Sequence, residues 1–178
     1  SSDLTDTPRL DAECLLMAVL ACSRTWLFAH TDAILTAEHR SALEAFVNRR
    51  LAGEPIAYIL QRKSFYQLEL EVTPDVLIPR PETECLVDFV LSEYSDSARY
   101  VLDLGTGSGA IALSLAHARP NWKVLAVDTS ACALAVARRN AERCGCPQVE
   151  FLRSDWFSAV EAQVFDIIVA NPPYIADN

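Results

Sequence analysis

Three short stretches carry the residue types that chemistry needs. The most specific is Asn171-Pro172-Pro173-Tyr174. Two consecutive prolines donate no backbone N–H, so a strand running into them must stop, while their carbonyls stay free as acceptors. The side-chain carbonyl of Asn171 is a further acceptor. Together these acceptors can hold a planar NH2 group by its two hydrogens, and Tyr174 can stack on the planar group. Accepting both protons favours the pyramidal nitrogen of a transition state, so such a cradle suits a weak nitrogen nucleophile whose lone pair is conjugated. The plain alternative is a proline-rich loop after a strand.

The second stretch is Asp103-Leu104-Gly105-Thr106-Gly107-Ser108-Gly109, which holds three of the chain's five glycines. Glycine lets the backbone turn sharply and lets a ligand lie against bare main chain. Gly105, Gly107 and Ala110 also satisfy the dinucleotide fingerprint, so an NAD-binding reading stays open. The third set lies further along. Asp128 ends a strand pattern and can accept hydrogen bonds from both hydroxyls of a ribose; it equally suits the first turn of the following helix. Asp155 can accept an adenine amino group, and Trp156 can cover the ring or simply pack at a rim.

These residues need elements to position them. The first sixty residues read as helices. Thr7 can cap a helix with Pro8 at its first position, and Leu10, Cys14, Met17 and Ala21 recur on one face. A short segment follows around Trp26 and His30. Thr36 can cap the next helix, with Leu43, Phe46, Val47 and Leu51 as its stripe and Gly53 at its stop. Residues 63–73 change period: Phe65, Gln67, Glu69 and Glu71 alternate with Tyr66, Leu68, Leu70 and Val72, which predicts a hairpin. Pro81 suits the first turn of a helix continued by Leu86, Phe89 and Val90. From Tyr100 the pattern is βαβαβ. It has strands at YVLDL, KVLAVD, VEFL and FDIIVA, with helices from Ser108 to Ala118 and from Ser130 to Cys144, and it predicts a parallel sheet. In such sheets ligands bind beyond the carboxyl ends of the strands, where all three stretches fall.

Composition narrows the function classes. The 178 residues carry 15 Lys and Arg against 24 Asp and Glu, a net charge of −9. Residues 63–178 hold nine basic and 16 acidic residues, a net of −7. That balance disfavours a grip on bare nucleic acid through phosphate neutralisation. The longest apolar run, 14–22, is too short to span a bilayer, so no membrane partner is expected. Six cysteines without a secretory signal fit a reduced, cytoplasmic chain. Cys14, Cys85 and Cys132 fall in apolar helical patterns and are expected in the core. Cys144-Gly145-Cys146 lacks metal-site spacing, so no metal is expected.

DLGTGSG followed by NPPY resembles the class I S-adenosylmethionine-dependent methyltransferases that modify planar amino or amide nitrogens. LIPRPETE at 77–84 resembles the signature of the HemK/PrmC family, the glutamine N5-methyltransferases of peptide chain release factors. The resemblance covers essentially the whole chain. It implies an α/β fold: a Rossmann-like methyltransferase sheet at 81–178, preceded by a small all-α helical substrate-docking domain at 1–62 and a β-hairpin linker at 63–80. By position, Asp103, Gly105, Thr106, Gly107 and Gly109 would cradle the methionine part of S-adenosylmethionine. Asp128 would bind the ribose, and Asp155 and Trp156 would flank the adenine. Asn171, beside the cofactor, and the Pro172 carbonyl would hold the substrate glutamine amide. Pro173 and Tyr174 would shape that pocket. Residues 78–82 would line the mouth, with Arg80 a candidate substrate ligand. The helical domain would dock a class-1 release factor, whose GGQ loop enters the site. The amide nitrogen would attack the sulfonium methyl in line, giving N5-methylglutamine and S-adenosylhomocysteine with no general base. Gln67 stands where related sequences often have Gly in the hairpin turn.

The resemblance also implies strand order 3-2-1-4 and three further strands. The chain stops four residues after Tyr174, so it reads as a fragment ending after the fourth strand, with that strand as an exposed hydrophobic edge. Three rivals remain. An N6-adenine or N2-guanine methyltransferase of DNA or rRNA would use NPPY equally well, but LIPRPETE and the acidity point elsewhere. An NAD-dependent oxidoreductase explains the glycines and Asp128 and leaves NPPY without a role. A non-catalytic binding module would rest on the helical domain alone.

Overall fold

The computed structural model describes residues 8–160 and 163–172, and the chain divides into two compact units, 1–61 and 62–178. Among the described residues, the first unit packs helices α1 (Pro8–Leu20), α2 (Arg24–Ala29), α3 (Ala37–Leu51) and α4 (Ile56–Leu60). Thr36 caps α3 as expected, its hydroxyl accepting the His39 N–H at 3.2 Å. Thr7 lies outside the described residues. The buried side of α1 differs from the expected stripe. Leu15 and Glu13 are buried, whereas Leu10 is 44% exposed and Ala21 is exposed. Glu13 sits between Arg24 at 2.7 Å and Arg9 at 3.0 Å, and their hydrogen bonds hold its carboxyl below its ordinary value. On α3 the buried position of the last turn is Arg50, paired with Asp11 of α1 at 2.8 Å, while Leu51 is 78% exposed. An ion pair, not an apolar residue, closes that end of the α1–α3 contact, which periodicity of apolar residues does not reveal.

The second unit opens with an antiparallel hairpin, β1 (Arg62–Phe65) and β2 (Leu68–Glu71). Its two-residue turn, Tyr66-Gln67, pairs Phe65 directly opposite Leu68. Opposite residues of an antiparallel pair share a face, so Phe65 joins Leu68, Leu70 and Val72 in the core. Simple alternation through the turn places it on the polar side. The left-handed residue is Tyr66, at φ +53, not Gln67. Glu84 stabilises it by accepting the Tyr66 N–H at 2.9 Å. A 3-10 turn, Pro81–Thr83, with Pro81 at its first position leads into α5 (Glu84–Glu93). Val87 and Val90 are the buried residues of α5, and Phe89 is 61% exposed.

Then follow β3 (Tyr100–Leu104), α6 (Ala110–Ala118), β4 (Lys123–Asp128), α7 (Ala131–Cys144), β5 (Val149–Arg153) and β6 (Ile167–Ala170). The four strands are parallel in the order β5-β4-β3-β6, the order expected from the resemblance. Side chains alternate between faces. Val101, Val124, Ala126, Ile167 and Val169 join the main core with α5 and α6. Leu102, Leu104, Leu125 and Val127 form the opposite face, covered by Val160 and Phe165 of the crossover to β6. Trp122 is fully buried, and its indole N–H donates to the Ser97 carbonyl at 2.9 Å. Ile168, on the outer strand β6, is 53% exposed.

The cysteine expectation needs correcting. Cys85 and Cys132 are exposed and Cys14 is half-buried; Cys146 is the buried one. Cys132 lies beside the apolar stripe of α7, which runs through Ala133, Leu134, Val136 and Ala137. Among the described residues no helix is long and apolar enough to cross a membrane, and no cluster could hold a metal ion.

Candidate active site

The chain runs β3, β4, β5 outward in one direction, then returns to place β6 on the other flank of β3. That reversal opens a crevice at the carboxyl ends of the strands. Gly105 reaches it from the end of β3, Asp128 from β4 and Asn171 from β6.

The glycine loop is tied to the neighbouring strand. Gly105 and Thr106 both donate their N–H groups to the Val127 carbonyl at 2.9 Å, and Gly107 donates to Asp128 Oδ2 at 2.9 Å. All three glycines have positive φ, at +73, +56 and +85 in chain order. Their surroundings separate their roles. A Cβ on Gly105 or Gly107 would meet nothing within 4 Å, so bare backbone faces the crevice there. A Cβ on Gly109 would come within 3.0 Å of Leu113 Cδ1 and 3.4 Å of Ala137 Cβ. A side chain there would thus crowd Leu113 of α6 itself, and the left-handed backbone of Gly109 turns the chain so that the helix begins at Ala110, two residues after the expected start.

Two cavities meet at Gly105. One, of about 160 Å³, is lined by Gly105, Val127, Asp128, Thr129, Ser154, Asp155 and Trp156. The other, of about 50 Å³, lies between the glycine loop, the 77–83 segment and Asn171, with Pro79, Arg80 and Thr83 on its wall. The structure thus gathers Arg80, Gly105, Thr106, Gly107, Asp128, Asp155, Trp156 and Asn171 along one cleft, whereas Asp103 is buried, Gly109 lines neither cavity and Pro172 lies exposed beyond Asn171. Pro173 and Tyr174 lie outside the described residues. Asp128 does two jobs: besides Gly107, its Oδ1 accepts the Ser130 N–H at 2.9 Å. It thus holds the backbone of Ser130, the residue whose hydroxyl caps α7, and it also lines the larger cavity. Trp156 is 53% exposed, in a left-handed conformation at φ +49 held by the Ser154 hydroxyl on its carbonyl at 2.8 Å. Arg80 is exposed on the wall of the smaller cavity.

Asp103 is the electrostatic centre. Its side chain is buried, with Oδ2 accepting the Thr106 hydroxyl at 2.6 Å and Oδ1 without a hydrogen-bond partner. Burial pushes its pKa up from 3.8 to about 6, against the pull of the Thr106 hydroxyl and the Ala112 N–H. The sign follows directly. Between these values the folded state keeps a proton that the unfolded state has released, so stability falls as pH rises through the window. The loss is about 1.4 kcal/mol per unit, or about 3 kcal/mol once pH exceeds 6. Asp103→Asn should remove this component. Urea unfolding at pH 4.5 and 6.5 should show the wild type losing more stability than the variant over that interval; equal losses would contradict the assignment.

Residues 82–178 match the methyltransferase small domain family, and residues 2–60 match the PrmC N-terminal domain. The chain belongs to the methyltransferase small domain family, in its HemK/PrmC branch. It is 49% identical to the release factor glutamine methyltransferase of Coxiella burnetii over 98% of its own length and 63% of that protein's. It is 46% identical to the release factor glutamine methyltransferase of Escherichia coli over 96% of its own length and 62% of that protein's. The chain therefore spans about three-fifths of the length of these relatives. In fold it is similar to an S-adenosylmethionine-dependent methyltransferase from Agrobacterium tumefaciens, with a TM-score of 0.54 and 23% identity over 63% of this chain and 39% of that one.

Two residues of this methyltransferase domain matter to the cleft and had no role assigned to them from the sequence: Thr83, although it lies within LIPRPETE, and Asn140. Thr83 accepts a hydrogen bond from Asn171 Nδ2 at 3.0 Å. Asn140, fully buried on α7, accepts the Glu71 N–H at 2.6 Å and donates to the carbonyls of Glu71 and Ser108 at 3.0 and 2.9 Å. It ties the hairpin to the glycine loop. Its signal is present in the sequence, as a polar residue inside the apolar stripe of α7, but its partners lie 69 and 32 residues away.

Proposed function

We propose that this protein transfers a methyl group from S-adenosylmethionine to the side-chain amide nitrogen of the glutamine in the GGQ motif of class-1 peptide chain release factors. The observation that carries the reading is the smaller cavity, where the Gly105-Thr106-Gly107 backbone and the Asn171 amide share one wall with the 77–83 segment. A nucleotide-bearing ligand and a planar amide placed there would touch at their reactive ends.

The cleft's own residues fit the cofactor. The bare backbone at Gly105 and Gly107 leaves room for a ligand, and the unpartnered Asp103 Oδ1 suits the ammonium of its methionine part. Asp128, Asp155 and Trp156 suit its ribose and adenine. When bound, S-adenosylmethionine supplies an electrophilic methyl group on a sulfonium sulfur. The chain then does the rest by position. Asn171 Oδ1 and the Pro172 carbonyl accept the two N–H protons of the amide, hold the nitrogen in line and favour its loss of planarity. No histidine is among the residues lining the two cavities, and the reading assigns the departing proton no dedicated base. A carboxylate that pairs with the ligand's ammonium must be ionised. Cofactor affinity should therefore fall about tenfold per unit below pH 6, a dependence that Asp103→Asn would flatten.

We place the reaction in the cytoplasm, in keeping with the free thiols of Cys22, Cys85, Cys132, Cys144 and Cys146. The helical unit would dock the release factor, and neither nucleic acid nor a membrane is a direct partner. The test is methyl transfer from labelled S-adenosylmethionine to purified release factor, with DNA and rRNA as parallel substrates. The reading expects label on the GGQ glutamine alone. Label on adenine N6 or guanine N2 instead would replace it with the nucleic-acid alternative.

A further inference from the structure

We propose that Thr83 is a positioning residue that holds the plane of the Asn171 amide. The inference rests on the reading of Asn171 as holder of the substrate NH2 group. An asparagine amide turns easily about its last torsion, where the energy wells are broad. Only its oxygen can accept a substrate N–H, and only in a narrow range of orientations. Asn171 Nδ2 donates to Thr83 Oγ1 at 3.0 Å, across 88 residues of sequence. With its nitrogen held there, Oδ1 is left for the substrate; a flipped amide would set its own N–H groups against those of the substrate.

Thr83 is itself well anchored. It ends the 3-10 turn that Pro81 opens, and its N–H donates to the Arg80 carbonyl at 3.0 Å. A branched side chain has a restricted first torsion, so its hydroxyl has few places to be. The next residue, Glu84, is fastened to the hairpin turn through the Tyr66 N–H at 2.9 Å. The 77–84 segment thus carries a rigid hydroxyl to the end of β6, and the amide borrows its orientation from an element on another part of the chain.

The experiment compares T83V, T83A and T83S in the complete enzyme, with release factor as substrate. Loss of the hydroxyl in T83V and T83A should lower kcat by about tenfold to a hundredfold, with affinity for S-adenosylmethionine kept within about twofold. T83S should recover kcat to within about threefold of the wild type. The Asn171 side-chain NH2 protons should move upfield and exchange faster in T83V and T83A, but not in T83S. A kcat within twofold of wild type in T83A, or T83S as slow as T83A, would overturn the proposal. So would loss of cofactor affinity in both T83V and T83A, which would make the residue structural. If the wild type labels an adenine or guanine amino group and no release factor, the proposed substrate fails. The same variants are then read on that amino group, and Thr83 stands or falls on the same kcat ratios.

Discussion

Asn171→Ala should lower methyl transfer by about a hundredfold to a thousandfold while S-adenosylmethionine binds within about twofold of its wild-type affinity. The magnitude is that of removing one preorganised hydrogen-bonding group aimed at charge that changes in the transition state. The amide sits at the carboxyl end of β6, where pairing with β3 ends at Leu104 and Ala170, so a rigid sheet edge sets its place. Alanine deletes the acceptor and strands the Thr83 hydroxyl, and it leaves the glycine loop, Asp103 and Asp128 untouched. Isothermal titration with cofactor and single-turnover transfer to release factor measure the two halves separately. Full transfer with normal cofactor binding would end the amide-cradle mechanism. Parallel loss of both would mean that Asn171 serves the cofactor site instead.

Asn140→Leu should cost about 3–5 kcal/mol of stability. The side chain is fully buried and satisfies three backbone groups: the N–H and carbonyl of Glu71 and the carbonyl of Ser108. Each such group left unpaired away from water costs about 1–3 kcal/mol. Leucine keeps the branching at Cγ and is larger, so no cavity forms and the loss reports the unpaired backbone groups together with some overpacking. Cofactor affinity should weaken too, because the Ser108 carbonyl belongs to the glycine loop. The surface partner of the same strand makes a useful contrast: Arg139 reaches Glu71 at 2.6 Å in a half-exposed pair, and such pairs contribute little. Urea titration should therefore rank Asn140→Leu far above Arg139→Ala. A change below about 1 kcal/mol for Asn140→Leu would show that the hairpin is not held by this amide.

Local chemistry made much of this molecule legible. Proline pairs stop strands, glycines permit positive φ, and side chains alternate with a period of two along strands; all of these act within a few residues. That is why the βαβαβ order, the Thr36 cap, the turn opened by Pro81 and the cleft residues Gly105, Gly107, Asp128 and Asn171 could be read without coordinates. Helical burial was less legible. The buried positions of α1, α3 and α5 depend on which neighbour each helix meets, so Glu13 and Arg50 are inside and Phe89 is outside. The cysteines failed for the same reason.

The sequence alone therefore determined the order of elements, the place of the cleft and the chemical types that line it. Tertiary structure alone decided which groups meet across long separations. It set Phe65 in the core through the Tyr66-Gln67 turn, sorted Gly109 from Gly105 and Gly107, and buried Asp103 deeply enough to raise its pKa to about 6. It also brought Thr83 to Asn171 and Asn140 to Ser108. The reason is physical: conformational preference is a property of neighbours in sequence, whereas desolvation and hydrogen-bond pairing are properties of neighbours in space.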